Sequence, residues 1–133
     1  MEWNFKPRFV MNGKIVLDTN VIIYALNDGL VLPHADYCIS IITEMELFSF
    51  PKLTDKEHDN IKKLLMHFDI LNISEEVKNQ AIKIRKGYGV KLPDSIICAV
   101  SIVNNATLIS NDKQLSKIQD LTVLTLDKFC SLR

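Results

Sequence analysis

Lys14-Ile15-Val16-Leu17-Asp18-Thr19-Asn20-Val21-Ile22-Ile23-Tyr24 decides how this chain folds. Its opening is an apolar run, Ile15 to Leu17, that suits a strand buried on both faces. The run ends at Asp18, and beyond it Val21, Ile22, Ala25 and Leu26 recur at helical spacing until Asp28-Gly29 breaks the pattern. A buried strand that stops at an acid and turns into a helix is the repeating unit of a parallel sheet, and the rest of the chain can be read for further copies of it.

Cys38-Ile39-Ser40-Ile41-Ile42 reads as a second strand. Thr43-Glu44-Met45-Glu46 follows with the Thr-x-x-Glu form of a capping box, which predicts a short helix starting there and stopping before Pro51. Thr54-Asp55-Lys56-Glu57 repeats the signal, with Ile61, Leu64, Leu65 and Phe68 as the apolar face. Ile70-Leu71-Asn72-Ile73 is a third strand; Ser74 caps the next helix, which turns Val77, Ala81 and Ile84 inward and meets a stop at Gly87. Pro93-Asp94 opens a more uniformly apolar helix to about Asn104, expected deep in the core. Thr107-Leu108-Ile109-Ser110 makes a fourth strand, a polar turn and a short helix near Gln114 follow, Thr122 to Leu126 is the fifth strand, and Lys128 to Leu132 can form a last helical turn.

Strands alternating with helices predict an α/β protein, a three-layer α/β/α fold on a mostly parallel central sheet of about five strands. The chain has 133 residues, 47% hydrophobic and 24% charged. That is one domain, assigned to residues 11–133, with enough core to fold without disulfides or a structural metal. Residues 1–10, ahead of a second methionine at Met11, read as an ill-ordered extension.

Charge and cysteine usage remove several classes of function. The 16 basic and 16 acidic residues cancel, which excludes nucleic-acid binding by overall basicity and leaves only a local patch. Cys38, Cys98 and Cys130 sit among apolar neighbours with no C-x-x-C pair, as expected of free thiols in a reducing compartment. Met1 to Arg8 has no apolar signal region, and the run Ile96–Val103 is far shorter than the ~20 residues of a membrane helix. The expectation is a cytoplasmic protein with no membrane association. His34, His58 and His67 are scattered without metal-ligand spacing, and neither a G-x-S-x-G elbow nor a glycine-rich phosphate loop is present.

In parallel sheets, sites gather at the carboxyl ends of the strands. Those ends carry acids: Asp18 after the first strand, Glu46 in the helix after the second, Asp94 at the start of the buried helix and Asp112 after the fourth strand. Each has a local explanation. Asp18 can cap a helix, Glu46 fits the third position of a capping box, Asp94 suits a helix start and Asp112 a turn. Their joint placement favours a functional reading, since clustered carboxylates repel one another and stay ionised only around a cation. Oxygen ligands of this kind suit Mg²⁺ or Mn²⁺.

With these motifs in order, the chain resembles the PIN-domain family, and within it the VapC-type ribonuclease toxins of VapBC toxin–antitoxin modules. The resemblance runs from about Lys14 to Leu126 and is carried by Ile15 to Tyr24, by Ser40-Ile41-Ile42-Thr43-Glu44-Met45-Glu46-Leu47, by Asp94-Ser95-Ile96-Ile97-Cys98-Ala99, and by Leu108-Ile109-Ser110-Asn111-Asp112. It implies a PIN-like fold and a metal-dependent endoribonuclease, a hydrolase leaving 5′-phosphate and 3′-hydroxyl ends. The family's four acids match Asp18, Glu46, Asp94 and Asp112. For the second, the family's Thr-x-x-Glu-Leu form selects Glu46 over Glu44. Asp18, Asp94 and Asp112 would hold one or two Mg²⁺ or Mn²⁺ ions, with Glu46 ligating directly or through water. Ser110 matches a supporting hydroxyl two positions before the last acid, and Asn20 would orient a carboxylate or a water. The family further implies a homodimer, an antitoxin partner that covers the acidic groove, and tRNA or other structured RNA as target. Lys78, Lys83, Arg85, Lys86 and Lys91 form a basic segment leading into Asp94, of which Arg85, Lys86 and Lys91 are candidate RNA contacts.

Other readings keep the fold and change the role: a stand-alone RNA-processing PIN nuclease, or a PIN-fold binding protein without activity. A haloacid-dehalogenase-type phosphatase needs a second acid two positions after the first, where this chain has Asn20. A receiver domain needs adjacent acids after the first strand, which Asp18-Thr19 does not supply.

Overall fold

A computed structural model describes residues 4–131, with side-chain surroundings described from Gly13 onward. Its central strand, β1 (Asn4–Leu17), is followed after one residue by helix α1 (Thr19–Asp28). The chain then alternates through β2 (Val31–Ser40), α2 (Ile41–Phe48), α3 (Asp55–Leu65), β3 (Asp69–Leu71), α4 (Glu75–Tyr88) and α5 (Leu92–Val103). It ends in β4 (Thr107–Ile109), a 3-10 turn at Leu115–Lys117, β5 (Thr122–Leu124) and α6 (Leu126–Ser131). The five strands form one sheet in the order β3-β2-β1-β4-β5, with every pairing parallel.

The two apolar clusters show how the layers are held. Ile15 and Leu17 of β1 point to one face, where they meet Val21 and Ile22 of α1, Leu47 of α2, Leu64 of α3 and Phe129 of α6. Val16 points to the other, where Val77, Ala81 and Ile84 of α4 and Ile97 to Val100 of α5 cover it. All three β1 residues are fully buried, as a strand covered on both sides requires. Burying such a side chain is worth roughly 1.5–3 kcal/mol, so the apolar run of β1 anchors both outer layers at once.

Local signals act where the sequence places them in several elements and differently in others. Thr54 and Glu57 form the expected reciprocal capping box, each bond 3.1 Å, and Ser74 caps α4 by accepting from the Val77 backbone N–H. The Thr43–Glu46 capping box does not form. Ser40, the last residue of β2, is the cap of α2 and accepts from the Ile42 N–H at 3.1 Å, so the helix starts at Ile41, and Ile41-Ile42 leave the expected strand. Thr43 and Glu46 thereby become interior helix residues with side chains free for other partners. α4 continues through Gly87 and ends at Gly89, whose φ of 67° is the left-handed geometry that a helix stop uses. β2 also begins well before Cys38: Val31 to Pro33 pair with Asn4 to Lys6 of β1, so residues 4–10 of the expected extension run as the outer part of β1. Residues 1–3 lie outside the described residues.

Candidate metal centre

The strand order reverses at β1. From there the chain first winds outward through β2 to β3, then returns to lay β4 on the other flank of β1. A crevice opens at such a switch point, outside the carboxyl ends of the two adjacent strands. Asp18 stands at its floor. Its backbone occupies the cap position of α1, yet its side chain makes no capping bond. Instead Ser110, one residue beyond β4, donates its hydroxyl to Asp18 Oδ2 at 2.7 Å, across the switch point. The same Ser110 Oγ accepts from the Asp112 backbone N–H at 3.1 Å, which sets the course of the following loop. Both Asp18 and Ser110 are buried.

Glu46 approaches from α2. Its Oε1 accepts from Thr19 Oγ1 at 2.7 Å, and Thr19 Oγ1 lies 3.0 Å from Thr43 Oγ1. Asp94 sits in the first turn of α5 beside Pro93, half-buried, with no hydrogen-bond partner among the described residues. A cavity of about 350 Å³ is lined by Asp18, Thr19, Asn20, Glu46, Ser49, Phe50 and Asp94. Asp112 is exposed at its margin and also serves its loop, since Oδ1 accepts from the Gln114 N–H at 2.9 Å. The turn role of Asp112 and its place among the acids coexist in one side chain.

The acids feel one another. Burial pushes the Asp18 carboxyl above its ordinary value, the Ser110 hydroxyl and the Thr19 backbone pull it down, and Glu46 and Asp112 push it up again. Asp94 is raised first by burial, then by Asp18, Asp112 and Glu46, against a smaller opposing pull from Lys91. Among the described residues the one direct ion pair, Lys78–Glu75, lies elsewhere on α4. The cavity thus gathers carboxylate oxygens without a side-chain cation bound to them. Hard oxygen donors in excess of positive charge match the requirements of Mg²⁺ or Mn²⁺.

The other singled-out residues divide. Asn20 lines the cavity with its amide unpartnered among the described residues. Lys91, at the cap position of α5, is close enough to act on Asp94. Arg85 instead bonds the Val90 carbonyl at 3.3 Å and ties the turn between α4 and α5, while Lys86 lies exposed in the last turn of α4. Thr19 and Thr43 were not among the candidate site residues read from the sequence, where Thr43 was expected only as a helix cap. The available signal was the spacing of Thr43 and Glu46, three apart and hence on one helix face.

Two further features lie outside this cavity. An apolar groove of about 340 Å³ runs beside the cavity, lined by Ile23, Leu26, Leu47, Leu53 and Ile61, and shares Phe50 with it. Asp36, Cys38 and Asp69, from β2 and β3, bring ligand atoms within 4.8 Å of one another and involve none of the four acids. There burial, chiefly, holds the Cys38 thiol up at about 11, protonated near neutrality and a poor ligand. No helix among the described residues is long and apolar enough to cross a membrane.

Known proteins agree with this architecture. A VapBC2 complex from Rickettsia felis bound to a promoter DNA fragment contains a chain that superposes with a TM-score of 0.73 at 21% identity, over 84% of this chain and 98% of that one. A toxin–antitoxin complex from Klebsiella pneumoniae gives 0.69 at 26% identity, over 84% and 96%. VapBC-1 from nontypeable Haemophilus influenzae gives 0.68 at 24%, over 84% and 97%. No curated protein matches the sequence. The family model for the PIN domain matches residues 15–121, the span that holds all four acids and the serine joining β4 to β1, and the chain belongs to the PIN domain family.

Proposed function

We propose that the chain is a Mg²⁺- or Mn²⁺-dependent endoribonuclease and the toxin of a VapBC-type, type II toxin–antitoxin pair. The observation that carries the nuclease reading is the carboxylate-lined cavity at the switch point: Asp18, Glu46 and Asp94 share it, and Asp112 acts on it from the margin. Asp18, Asp94 and Asp112 are the residues that would hold the cation, with Glu46 beside them. When bound, a divalent ion supplies Lewis acidity for the scissile phosphate and a water of lowered pKa.

The chain's own residues supply the rest. Ser110 fixes the rotamer of Asp18 by donating to Oδ2. Glu46 can take up a proton at Oε2, the oxygen that Thr19 leaves free. Asn20 can donate to a phosphate oxygen from the cavity wall. Lys91, at the cavity edge, offsets part of the negative field that an approaching RNA backbone meets; Arg85 and Lys86 extend the contact along α4.

The toxin role rests on the resemblance to the toxin chains of toxin–antitoxin complexes. The apolar groove that shares Phe50 with the acidic cavity offers a surface on which an antitoxin segment could lie while covering the acids. The three cysteines, in no disulfide among the described residues, agree with a reducing cytoplasm, and the family resemblance favours a homodimer. The test is cleavage of an end-labelled tRNA pool by the purified chain with Mg²⁺ or Mn²⁺, against EDTA and against Asp94→Asn. Discrete fragments that need metal and vanish in the variant support the nuclease. Absence of cutting by folded, antitoxin-free protein across tRNA and total RNA would defeat it.

A further inference from the structure

Two buried hydroxyls stand behind Glu46. Thr19 is 6% exposed and Thr43 not at all, their oxygens are 3.0 Å apart, and Thr19 Oγ1 is 2.7 Å from Glu46 Oε1. A hydroxyl has one proton to donate, and an ionised carboxylate only accepts. The Thr19 proton therefore goes to Glu46, and the Thr43 hydroxyl must donate to Thr19 to fill the second contact. A threonine near a helix start commonly turns its hydroxyl to a nearby backbone group. Thr43 makes no such bond among the described residues and reaches instead across 24 positions of sequence to α1.

While Glu46 is ionised the chain Thr43→Thr19→Glu46 thus has a single polarity. It occupies Oε1 and leaves Oε2 without a partner among the described residues, on a side chain that lines the cavity with Asp18 and Asp94. Pinning α1 to α2 would need only the Thr–Thr bond. Inclusion of the carboxylate is the feature that a purely structural role leaves unexplained.

We propose that Thr19 and Thr43 are positioning residues that hold the Glu46 carboxylate by Oε1 and present Oε2 to the cation and substrate in the acidic cavity. This rests on the nuclease reading of the site. Because Thr43 is fully buried, water has no ready access to replace a lost hydroxyl, and a freed Glu46 would sample several rotamers in place of one.

The test uses the full chain and three variants: Thr19→Val, which keeps the shape and removes the hydroxyl; Thr19→Ser, which keeps the hydroxyl; and Thr43→Val, which removes only the outer donor. Mn²⁺ affinity is measured by calorimetry without RNA, and kcat and KM are measured on a cleaved RNA. Thr19→Val should weaken Mn²⁺ binding and lower kcat by about 10–100-fold each, with KM for RNA nearly unchanged, while Thr19→Ser stays close to wild type. Glu46→Gln should add little in the Thr19→Val background. A folded Thr19→Val with wild-type Mn²⁺ affinity and kcat overturns the proposal, as does a serine variant as impaired as the valine. If Thr19→Val fails to fold, Thr43→Val decides: a fall in Mn²⁺ affinity supports the positioning role, and no change overturns it. Wild-type protein that neither binds Mn²⁺ nor cuts RNA would remove the nuclease reading and this inference with it. Active wild type with unaffected variants would remove the inference alone.

Discussion

Replacing Ser110 by alanine removes a hydroxyl that is 2% exposed and serves two partners, Asp18 Oδ2 at 2.7 Å and the Asp112 N–H at 3.1 Å. The bond to Asp18 is charge-assisted, a class worth roughly 1.5–3 kcal/mol, and its loss leaves a buried carboxylate short of a donor. The bond from Asp112 is a neutral one, worth about 0.5–1.5 kcal/mol, in a loop where water can substitute in part. The expected destabilisation at pH 7.5 in EDTA is therefore about 2–3 kcal/mol, read from urea midpoints at constant m-value. It should lower Tm by about 6–12 °C for a domain of this size. The pH dependence has a definite sign. Burial raises the folded-state pKa of Asp18 above the ordinary 3.8, and Ser110 opposes that rise, so the variant's pKa goes higher still. Between 3.8 and the folded value the native state holds more protons than the unfolded chain, and the metal-free protein loses stability as pH rises through that window. The loss is larger without Ser110. The gap between wild type and Ser110→Ala should accordingly be fullest above the raised pKa and shrink as acid protonates Asp18 in both proteins. A gap below about 0.5 kcal/mol at pH 7.5, or one equal at pH 4 and pH 7.5, would refute the assignment of this bond to an ionised carboxylate.

Asp94→Asn removes one member of a mutually repelling set, so in EDTA it should be more stable than wild type by about 1 kcal/mol while losing cleavage and Mn²⁺-dependent thermal stabilisation. In wild type, Mn²⁺ at about a hundred times its Kd should add about 2.7 kcal/mol, measured as a rise in urea midpoint. Burial holds Cys98 at about 12 and Cys38 at about 11, so iodoacetamide at pH 7.5 should modify the half-exposed Cys130 in native protein and all three thiols only in urea, as counted by mass spectrometry. Thr54→Ala deletes the cap of α3 at a residue that does not line the acidic cavity; it should cost about 1 kcal/mol in urea unfolding and leave RNA cleavage at the wild-type rate.

The parallel sheet was legible because β1 is apolar on both faces and each strand-end acid marks a passage into a helix. The start of α2 was not. Ser40 and Thr43 are both good caps three residues apart, and the choice falls to Ser40 because its backbone is still paired with Leu71 in the β2–β3 ladder, so the strand ends there and nowhere later. The outer half of β2 was hidden for a related reason. Val31-Leu32-Pro33-His34 has neither alternation nor strong strand propensity, and it extends only because β1 runs beside it. The positions of Asp18, Glu46 and Asp112 along the chain could be read from one rule about strand ends, whereas Asp94 follows the turn between α4 and α5 and was marked only by the Pro93-Asp94 helix start. Their partners could not: the hydroxyl on Asp18 comes from 92 residues away and that on Glu46 from 27, separations over which no local pattern carries information.

The 92-residue reach between Asp18 and Ser110 also bears on synthesis. β1 is made first and lies at the centre of the sheet, but its second flank is covered only by β4, near the end of the chain. A chain still emerging from the ribosome, or truncated before Thr107, has an open edge on its middle strand, lacks the Ser110 donor to its first acid and has no fourth acid at all. Such loops close slowly relative to local structure. The acidic cluster is thus complete only once β4 and the loop through Asp112 have been made. A nascent fragment without β4 is liable to be captured at its bare strand.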